Sequence, residues 1–269
     1  MPRPIGFLTD YGPHSEHVGA LHAVVAAMAP GADRIDLAHD IPPGDIRWGA
    51  VLLERLARLM PRESVVVAVV DPGVGTARRA VALELEYGRV VVGPDNGLLG
   101  LAADLLAPVQ AVQVTSAAHM RQPVSDTFHG RDIFAPAAAH LATGTPLGDL
   151  GPQVDLASVE RPHLPEPNVA DGEVQALVAG TDRFGNLALW ARWEHLMAAG
   201  LTAGDRIWAV STAARTRGTI GRTFQDVPRG GLLAYVDSHG LVSLAVNGGS
   251  AGERVQATAG EVVAITRQE

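Results

Sequence analysis

Two aspartates follow apolar runs: Asp10 comes one residue after Ile5-Gly6-Phe7-Leu8, past Thr9, and Asp71 directly after the run from Ser64 to Val70. Glycines stand beside each, at Gly12 and at Gly73 and Gly75, and a residue without Cβ lets a ligand come close to the backbone. In α/β sheets ligands bind beyond the carboxyl ends of the strands, so carboxylates at such places are the first candidates for chemistry. One such aspartate can serve as an ordinary turn or helix cap, but two at comparable strand ends point to a site. The third feature is Thr127-Phe128-His129-Gly130-Arg131-Asp132, which sets a histidine at the mouth of an expected helix. An aspartate, an arginine and a histidine from separate segments can bind and polarise a water in an anion-friendly pocket. Metal binding by Asp71 and His129 is the rival role, but no HExxH or comparable ligand spacing supports it, so no metal is expected. His14, His17 and His22, near the first expected helix, read as solvated surface groups.

In the second half, Asp182-Arg183-Phe184-Gly185-Asn186 brings a charge, an aromatic face and an amide into five residues. As a pentapeptide it makes an ordinary turn. As a site it suits a nucleoside with an amino-acid tail: Phe184 to stack on a base, Asn186 to read its edge and Asp182 to meet an ammonium. Ser238 and Asn247 add hydrogen-bonding groups in a similar glycine-rich stretch. Two other motifs fail on context. Gly248-Gly249-Ser250-Ala251-Gly252 matches G-x-S-x-G, but no histidine follows His239 to complete a hydrolase of that kind, and a loop is expected there. Gly73-Val74-Gly75 begins like a dinucleotide fingerprint but carries Arg78 where the third glycine belongs.

The elements that must position these residues are legible in part. Ile5 to Leu8 reads as a strand, Ser15 as the cap of a helix through about Met28, Arg47 to Leu59 as a second helix, and Ser64 to Val70 as a strand buried on both faces. Ala80 to Glu86 and Arg89 to Val92 form an expected hairpin around Tyr87-Gly88. Pro94-Asp95-Asn96-Gly97 is a turn, and Gly130 to about Leu141 is a helix. Such alternation predicts a doubly wound α/β domain over residues 1–160. A proline-dense stretch at 161–171 predicts a linker. Short β-rich runs from 172 to 269, at Glu173–Ala179, Asp205–Val210, Leu232–Val236, Val242–Ala245 and Glu261–Ile265, predict a small antiparallel barrel or sandwich.

Composition removes whole classes of mechanism. The chain has no cysteine and no lysine, so disulfides, thiolate nucleophiles, Schiff bases and a Walker-type lysine are all excluded. Its net charge of −8, with no basic run, disfavours nucleic acid or an anionic membrane and favours a small-molecule partner. Apolar runs are too short to span a bilayer, and no secretion signal is evident, so a cytoplasmic protein is expected.

Taken together, Gly6-Phe7-Leu8-Thr9-Asp10-Tyr11-Gly12, Val70-Asp71-Pro72-Gly73-Val74-Gly75-Thr76, Pro94-Asp95-Asn96-Gly97-Leu98, Thr127 to Asp132, Asp182 to Asn186 and the Ser238 to Asn247 stretch resemble the S-adenosyl-L-methionine hydroxide adenosyltransferase family, a group related to S-adenosylmethionine-dependent fluorinases and chlorinases. The resemblance implies a Rossmann-like N-terminal α/β domain and a smaller β-barrel-like C-terminal domain. It also implies a homotrimer with sites at subunit interfaces, and hydrolysis of S-adenosylmethionine to adenosine and methionine with no cofactor beyond the substrate itself. Carried over residue by residue, Asp71, Arg78 and His129 direct a water at the ribose C5′. Asp10 binds the ribose hydroxyls, Phe128, Phe184, Asn186 and Asn247 belong to the substrate pocket with Phe184 and Asn186 on the adenine, and Asp182 and Ser238 meet the methionine ends. Two departures stand out: the halogenating relatives place an aromatic residue where Gly44 stands and an arginine where His239 follows Ser238. They also carry a tyrosine and a Pro-Ala-Thr-Gly-type turn in the segment matching Val70 to Thr76. A non-catalytic S-adenosylmethionine or adenosine binder and a halogenase are the alternative readings.

Overall fold

Valine-rich strands form the centre of the first sheet. In the computed structural model, which describes residues 1–268, contacts divide the chain into two units, Met1–His163 and the residues from Leu164 onward. The first unit runs β1 (Ile5–Thr9), α1 (Glu16–Met28), β2 (Arg34–Ala38), α2 (Ile46–Leu59), β3 (Val65–Val69), β4 (Ala80–Glu84), β5 (Val90–Pro94), α3 (Gly100–Leu105), β6 (Gln110–Gln113), α4 (Ala135–Ala142) and β7 (Gln153–Val154). Its sheet has the order β2-β1-β3-β5-β4-β6-β7. β3 is buried along its whole length because it lies between two parallel neighbours, β1 and β5, with helices over the sheet.

Only β2, β1, β3 and β5 are parallel, while β4, β6 and β7 join antiparallel. The sheet is therefore mixed rather than wholly doubly wound. The cause is the connection at Glu86–Gly88, a tight turn with Tyr87 at φ 61°, too short for the helical crossover that a parallel partner requires. Side-chain alternation divides the strands between two faces. Ile5, Phe7, Val65, Val67 and Val92 share a core with Leu21 and Val25 of α1 and Ala138 of α4. The alternate residues Leu8, Val66, Ala68 and Val91 are buried on the other side, where α2 packs on α3. Ser15 caps α1 by accepting from His17 N–H, and Asp45 caps α2 by accepting from Trp48 N–H.

The helix expected from Gly130 to Leu141 begins instead as a π turn over Gly130–Phe134 and becomes α-helical only in α4. Pro136 has no N–H to give to the carbonyl of Asp132, which accepts from Arg121 N–H at 2.8 Å instead. Single-turn π segments of this kind loosen the ladder and free a side chain for other work.

The second unit contains β8 (Asn168–Ala170), β9 (Glu173–Thr181), β10 (Leu187–Arg192), α5 (Trp193–Ala198), β11 (Arg206–Val210), β12 (Arg215–Ile220), β13 (Leu232–Val236), β14 (Leu241–Val246), α6 (Ala251–Val255) and β15 (Val262–Arg267). The order β10-β14-β13-β12-β11-β15-β9 closes through β9–β10 into a seven-stranded barrel, with β8 appended to β9. The barrel is antiparallel except at β12–β13, which run parallel. β8 lies inside the stretch expected to be a linker. Val178, Leu189, Ile207, Leu244 and Ile265 fill the barrel core. No described helix is long and apolar enough to cross a membrane.

Candidate active site

Asp71 stands two residues beyond the end of β3, past Val70. That strand end is pinned from the side by Asn96, whose Nδ2 donates to the Val70 carbonyl at 2.9 Å. Asp95 is itself buried and is held by Arg79 at 2.7 Å and by the N–H of Glu160 at 2.8 Å. The Pro94-Asp95-Asn96-Gly97 turn thus supports the site without lining it. The loop after Asp71 makes room for another segment. A Cβ at Gly75, whose φ is +78°, would lie 2.4 Å from the carbonyl oxygen of Asp126, so glycine is what lets the 126–129 loop approach.

These two loops bring the expected triad together. Arg78 Nε lies 2.9 Å and 3.0 Å from the two carboxylate oxygens of Asp71, and Arg78 Nη2 also binds Asp71 Oδ2. The same Nη2 is 2.7 Å from Nδ1 of His129. The guanidinium rests over the ring of buried Phe134, 5.4 Å from its centroid. Side-chain exposure is 10% for Arg78 and 4% for Asp71, so this ion pair is withdrawn from bulk water. Arginine has only donors, which makes Nδ1 of His129 the acceptor and leaves its ring proton on Nε2. Burial, and then the charge of Arg78, push the His129 pKa below its ordinary value.

Asp71 and His129 line a cavity of about 390 Å³ whose wall also includes Asp10, Tyr11, Gly44 and Thr127, with Arg78 bridging the two from behind. Its size is that of a small-molecule site. Asp10 is held by the N–H of Gly44, which donates to Oδ2 at 2.8 Å, and burial raises its pKa. Tyr11 received no role from the sequence, yet it lies on this wall. Burial, followed by the nearby charge of Asp10, keeps its phenol protonated. Phe128 departs from expectation. Thr127 and His129 on either side of it face the cavity, whereas Phe128 turns onto His17 and Tyr11, at ring distances of 4.7 Å and 5.9 Å, with Arg131 over its face. It packs the loop, a role that an aromatic residue between two polar ones does not announce. Asp132, buried and bonded to Arg131 and to the N–H of Ser125, anchors the same loop from its far end.

The second unit carries its own cavity, of about 480 Å³, lined by Phe184, Asn186, Phe224, Val246, Gly248 and Gly249. Phe184 is 66% exposed, and with Arg183 over one face at 5.1 Å its opposite face is the one open for stacking. Asp182 accepts from the N–H groups of Phe184 and Asn186 and from the Asn186 amide, which shapes the turn that presents these two residues. Asn247 is likewise structural, donating to the carbonyls of Phe224 and Val227 at 2.9 Å and 3.0 Å. Ser238 sits at the exposed turn between β13 and β14, apart from the cavity-lining residues. Phe224 was not legible as a site residue, since one aromatic in a polar turn carries no spacing signal. Ser250 of the G-x-S-x-G match caps α6 through Glu253 N–H.

Comparison with known proteins agrees with both halves. A model of the SAM hydroxide adenosyltransferase N-terminal domain matches residues 5–151, and one of the corresponding C-terminal domain matches residues 176–264. An (R)-S-adenosyl-L-methionine hydrolase of Salinispora arenicola is 46% identical over 266 residues, covering 97% of each chain. A fluorinase of an Actinoplanes species is more distant, at 25% identity over 289 residues, with 98% of this chain and 97% of the fluorinase covered. Among solved structures, an uncharacterized conserved protein from Thermotoga maritima superposes with a TM-score of 0.91 at 33% identity, covering 98% of this chain and 100% of that one. With its two halves matched in order and near-full-length identity to such relatives, the chain belongs to the SAM hydroxide adenosyltransferase family.

Proposed function

We propose that the chain hydrolyses S-adenosyl-L-methionine to adenosine and L-methionine, acting on the (R)-sulfonium epimer named for its Salinispora relative. The observation that carries the reading is Arg78 bridging Asp71 and His129 on the wall of a cavity that also contains Asp10. In this reaction a water oxygen bonds to C5′ as the C5′–S bond breaks, and the electron pair stays on sulfur as the sulfonium becomes the neutral thioether of methionine. The leaving group needs no proton, so the protein's task is to orient one water and take its proton.

The hydrogen bonds support a division of roles. With Nδ1 of His129 occupied by Arg78, that ring presents Nε2–H and orients the water by donation. Asp71 keeps an open lone-pair direction on Oδ1, which among the described residues accepts only from Arg78 Nε, and it receives the proton. Arg78 stabilises the hydroxide character that develops between them. Asp10 receives the ribose hydroxyls on the oxygen not used by Gly44, Phe184 stacks on adenine, Asn186 reads its edge, and Asp182 and Ser238 meet the methionine ends. The reading includes a cytoplasmic homotrimer in which residues from two subunits complete each site, with no cofactor or metal in the reaction and no nucleic acid or membrane as partner. Purified chain incubated with each epimer of S-adenosylmethionine is expected to release adenosine and methionine in equal amounts, faster from the (R) form. No product above a heat-killed control would overturn the proposal, and tight calorimetric binding without turnover would favour the non-catalytic binder.

A further inference from the structure

Away from that cavity, three side chains converge in a way that water-directing chemistry does not require. His22 lies on α1, Asp36 on β2, and His39 just beyond the end of β2. Nε2 of His22 is 2.7 Å and Nε2 of His39 is 3.0 Å from the same oxygen, Oδ1 of Asp36. All three atoms lie within 4.8 Å of one another. His22, expected from the sequence to be a solvated group, is therefore part of a cluster. We propose that His22, Asp36 and His39 form a binding site for one divalent transition-metal ion of the zinc class.

The donor set is two imidazoles and one carboxylate, which zinc, cobalt and nickel accept. The spacing is also right. With metal–nitrogen bonds of about 2.0–2.1 Å, neighbouring ligands of a tetrahedral ion are about 3.3 Å apart. The observed 2.7 Å and 3.0 Å to Asp36 need to open by only a few tenths of an ångström, and the two Nε2 atoms, within 4.8 Å of each other, would draw together around an ion. Both rings are already oriented. The His39 side chain is 6% exposed, and its Nδ1 lies 2.8 Å from Oγ1 of the fully buried Thr9. The His22 ring packs against Phe7 at 4.8 Å. An outer partner such as Thr9 is what fixes the tautomer of a ligating histidine: with the proton on Nδ1 and donated to Oγ1, Nε2 is bare for the ion. Exposure of 30% at His22 and 49% at Asp36 leaves an entry path and room for water to complete the coordination.

The ion would join three elements at one point. Thr9 Oγ1 also accepts from Tyr11 N–H at 3.2 Å, and the His39 carbonyl accepts from Gly12 N–H at 2.8 Å. The turn carrying Asp10 is thus tied to the histidine that would hold the ion, which makes the site a structural staple beneath the proposed active site and not part of the reaction.

The test uses the full chain stripped with chelator, dialysed, and titrated calorimetrically with zinc chloride alone, so its outcome is independent of any S-adenosylmethionine turnover. One ion per chain and a rise in Tm are expected, with Co²⁺ giving the visible bands of a nitrogen- and oxygen-ligated ion. His22→Ala and Asp36→Asn, both at partly exposed positions, should lose that isotherm and the Tm rise while keeping the wild-type circular dichroism. Thr9→Val leaves all three ligands in place and should weaken binding by roughly 10–100-fold through loss of the orienting partner. His163→Ala, remote in sequence, controls for binding by other histidines and should match wild type. Absence of stoichiometric binding, or an unchanged isotherm in both His22→Ala and Asp36→Asn, would overturn the proposal.

Discussion

Arg78 donates a 2.7 Å hydrogen bond to Nδ1 of His129 across 51 positions of sequence, using the amino group that also binds Oδ2 of Asp71. A protonated His129 would present N–H to N–H at that contact. The pKa of His129 accordingly lies below 6.5, through burial first and Arg78 second. The sign follows from a native state that binds the proton less well than the unfolded chain. The contribution of this group to stability is complete above about 6.5 and is lost as the pH falls from there through the lower folded value. The kcat–pH profile should stay flat through 6.5 and bend only below it. A histidine-dependent acid limb centred at or above 6.5, abolished in His129→Gln, would contradict this geometry.

Replacement of Asp71 by Asn keeps the shape and removes the proposed proton acceptor. A lost acceptor of this kind costs on the order of 10²–10⁴-fold in kcat, with little change in KM. Phe184→Ala should behave oppositely. Loss of stacking on a base is worth about 1–3 kcal/mol, which is roughly 5- to 150-fold in KM, and kcat should be nearly unchanged. Steady-state kinetics of the two variants, measured side by side, distinguishes the roles, and a matching kcat loss in both would defeat the assignment.

Arg78→Met tests the pair as structure. Removing one partner of a buried ion pair leaves the other charge uncompensated, at about 3–5 kcal/mol. Asp71 is 4% exposed, so the penalty should fall in that range. Urea denaturation monitored by circular dichroism gives the number, and a loss below about 1 kcal/mol, as for surface pairs, would mean that water reaches Asp71 freely.

A Cβ at Gly130 would lie 2.4 Å from the Tyr11 hydroxyl oxygen but 3.4 Å from the ring carbon that bears it. Gly130→Ala should therefore destabilise the fold by about 1–3 kcal/mol through overpacking. The clash is with the hydroxyl alone. Adding Tyr11→Phe should recover most of that loss, giving a coupling of about 0.5–3 kcal/mol in a double-mutant cycle. Strict additivity would show that the two residues do not meet.

On the proposed reading, the charge at the end of β3 sets the nucleophile. A carboxylate within about 4 Å of a halide raises its energy by roughly 4 kcal/mol at an effective dielectric near 20, whereas it orients and deprotonates water. Arg78 offsets part of that repulsion. Adenosine should remain the main nucleoside product in molar chloride and, separately, in fluoride; 5′-chloro- or 5′-fluoro-5′-deoxyadenosine as the main product would overturn the assignment to water.

Much of the architecture was legible because its signals are local. β3 reads directly as five valine-rich buried residues, Ser15 and the apolar spacing behind it mark α1, and Tyr87-Gly88 marks the hairpin between β4 and β5. β2 was not legible. As the edge strand of the sheet it exposes Arg34 and Asp36, so its run lacks the continuous apolar pattern of the strands inside. The C-terminal half was readable as a β domain, but its closure through β9–β10 depends on pairing between distant strands that no local pattern encodes.

By itself the sequence determined which groups are available: carboxylates at strand ends, a histidine before a helix, arginine as the sole strong cation, and no cysteine or lysine. What the tertiary structure alone decided is how these groups meet. Gly75 admits the 126–129 loop to Asp71, Arg78 spans from Asp71 to His129, Phe128 turns away to pack on Tyr11 and His17, and His22 converges with His39 on Asp36. The reason is physical. Residue type fixes charge, size and donor count, which a chain carries wherever it goes, whereas hydrogen bonds and buried ion pairs depend on distances of a few tenths of an ångström between segments that only long-range packing brings together.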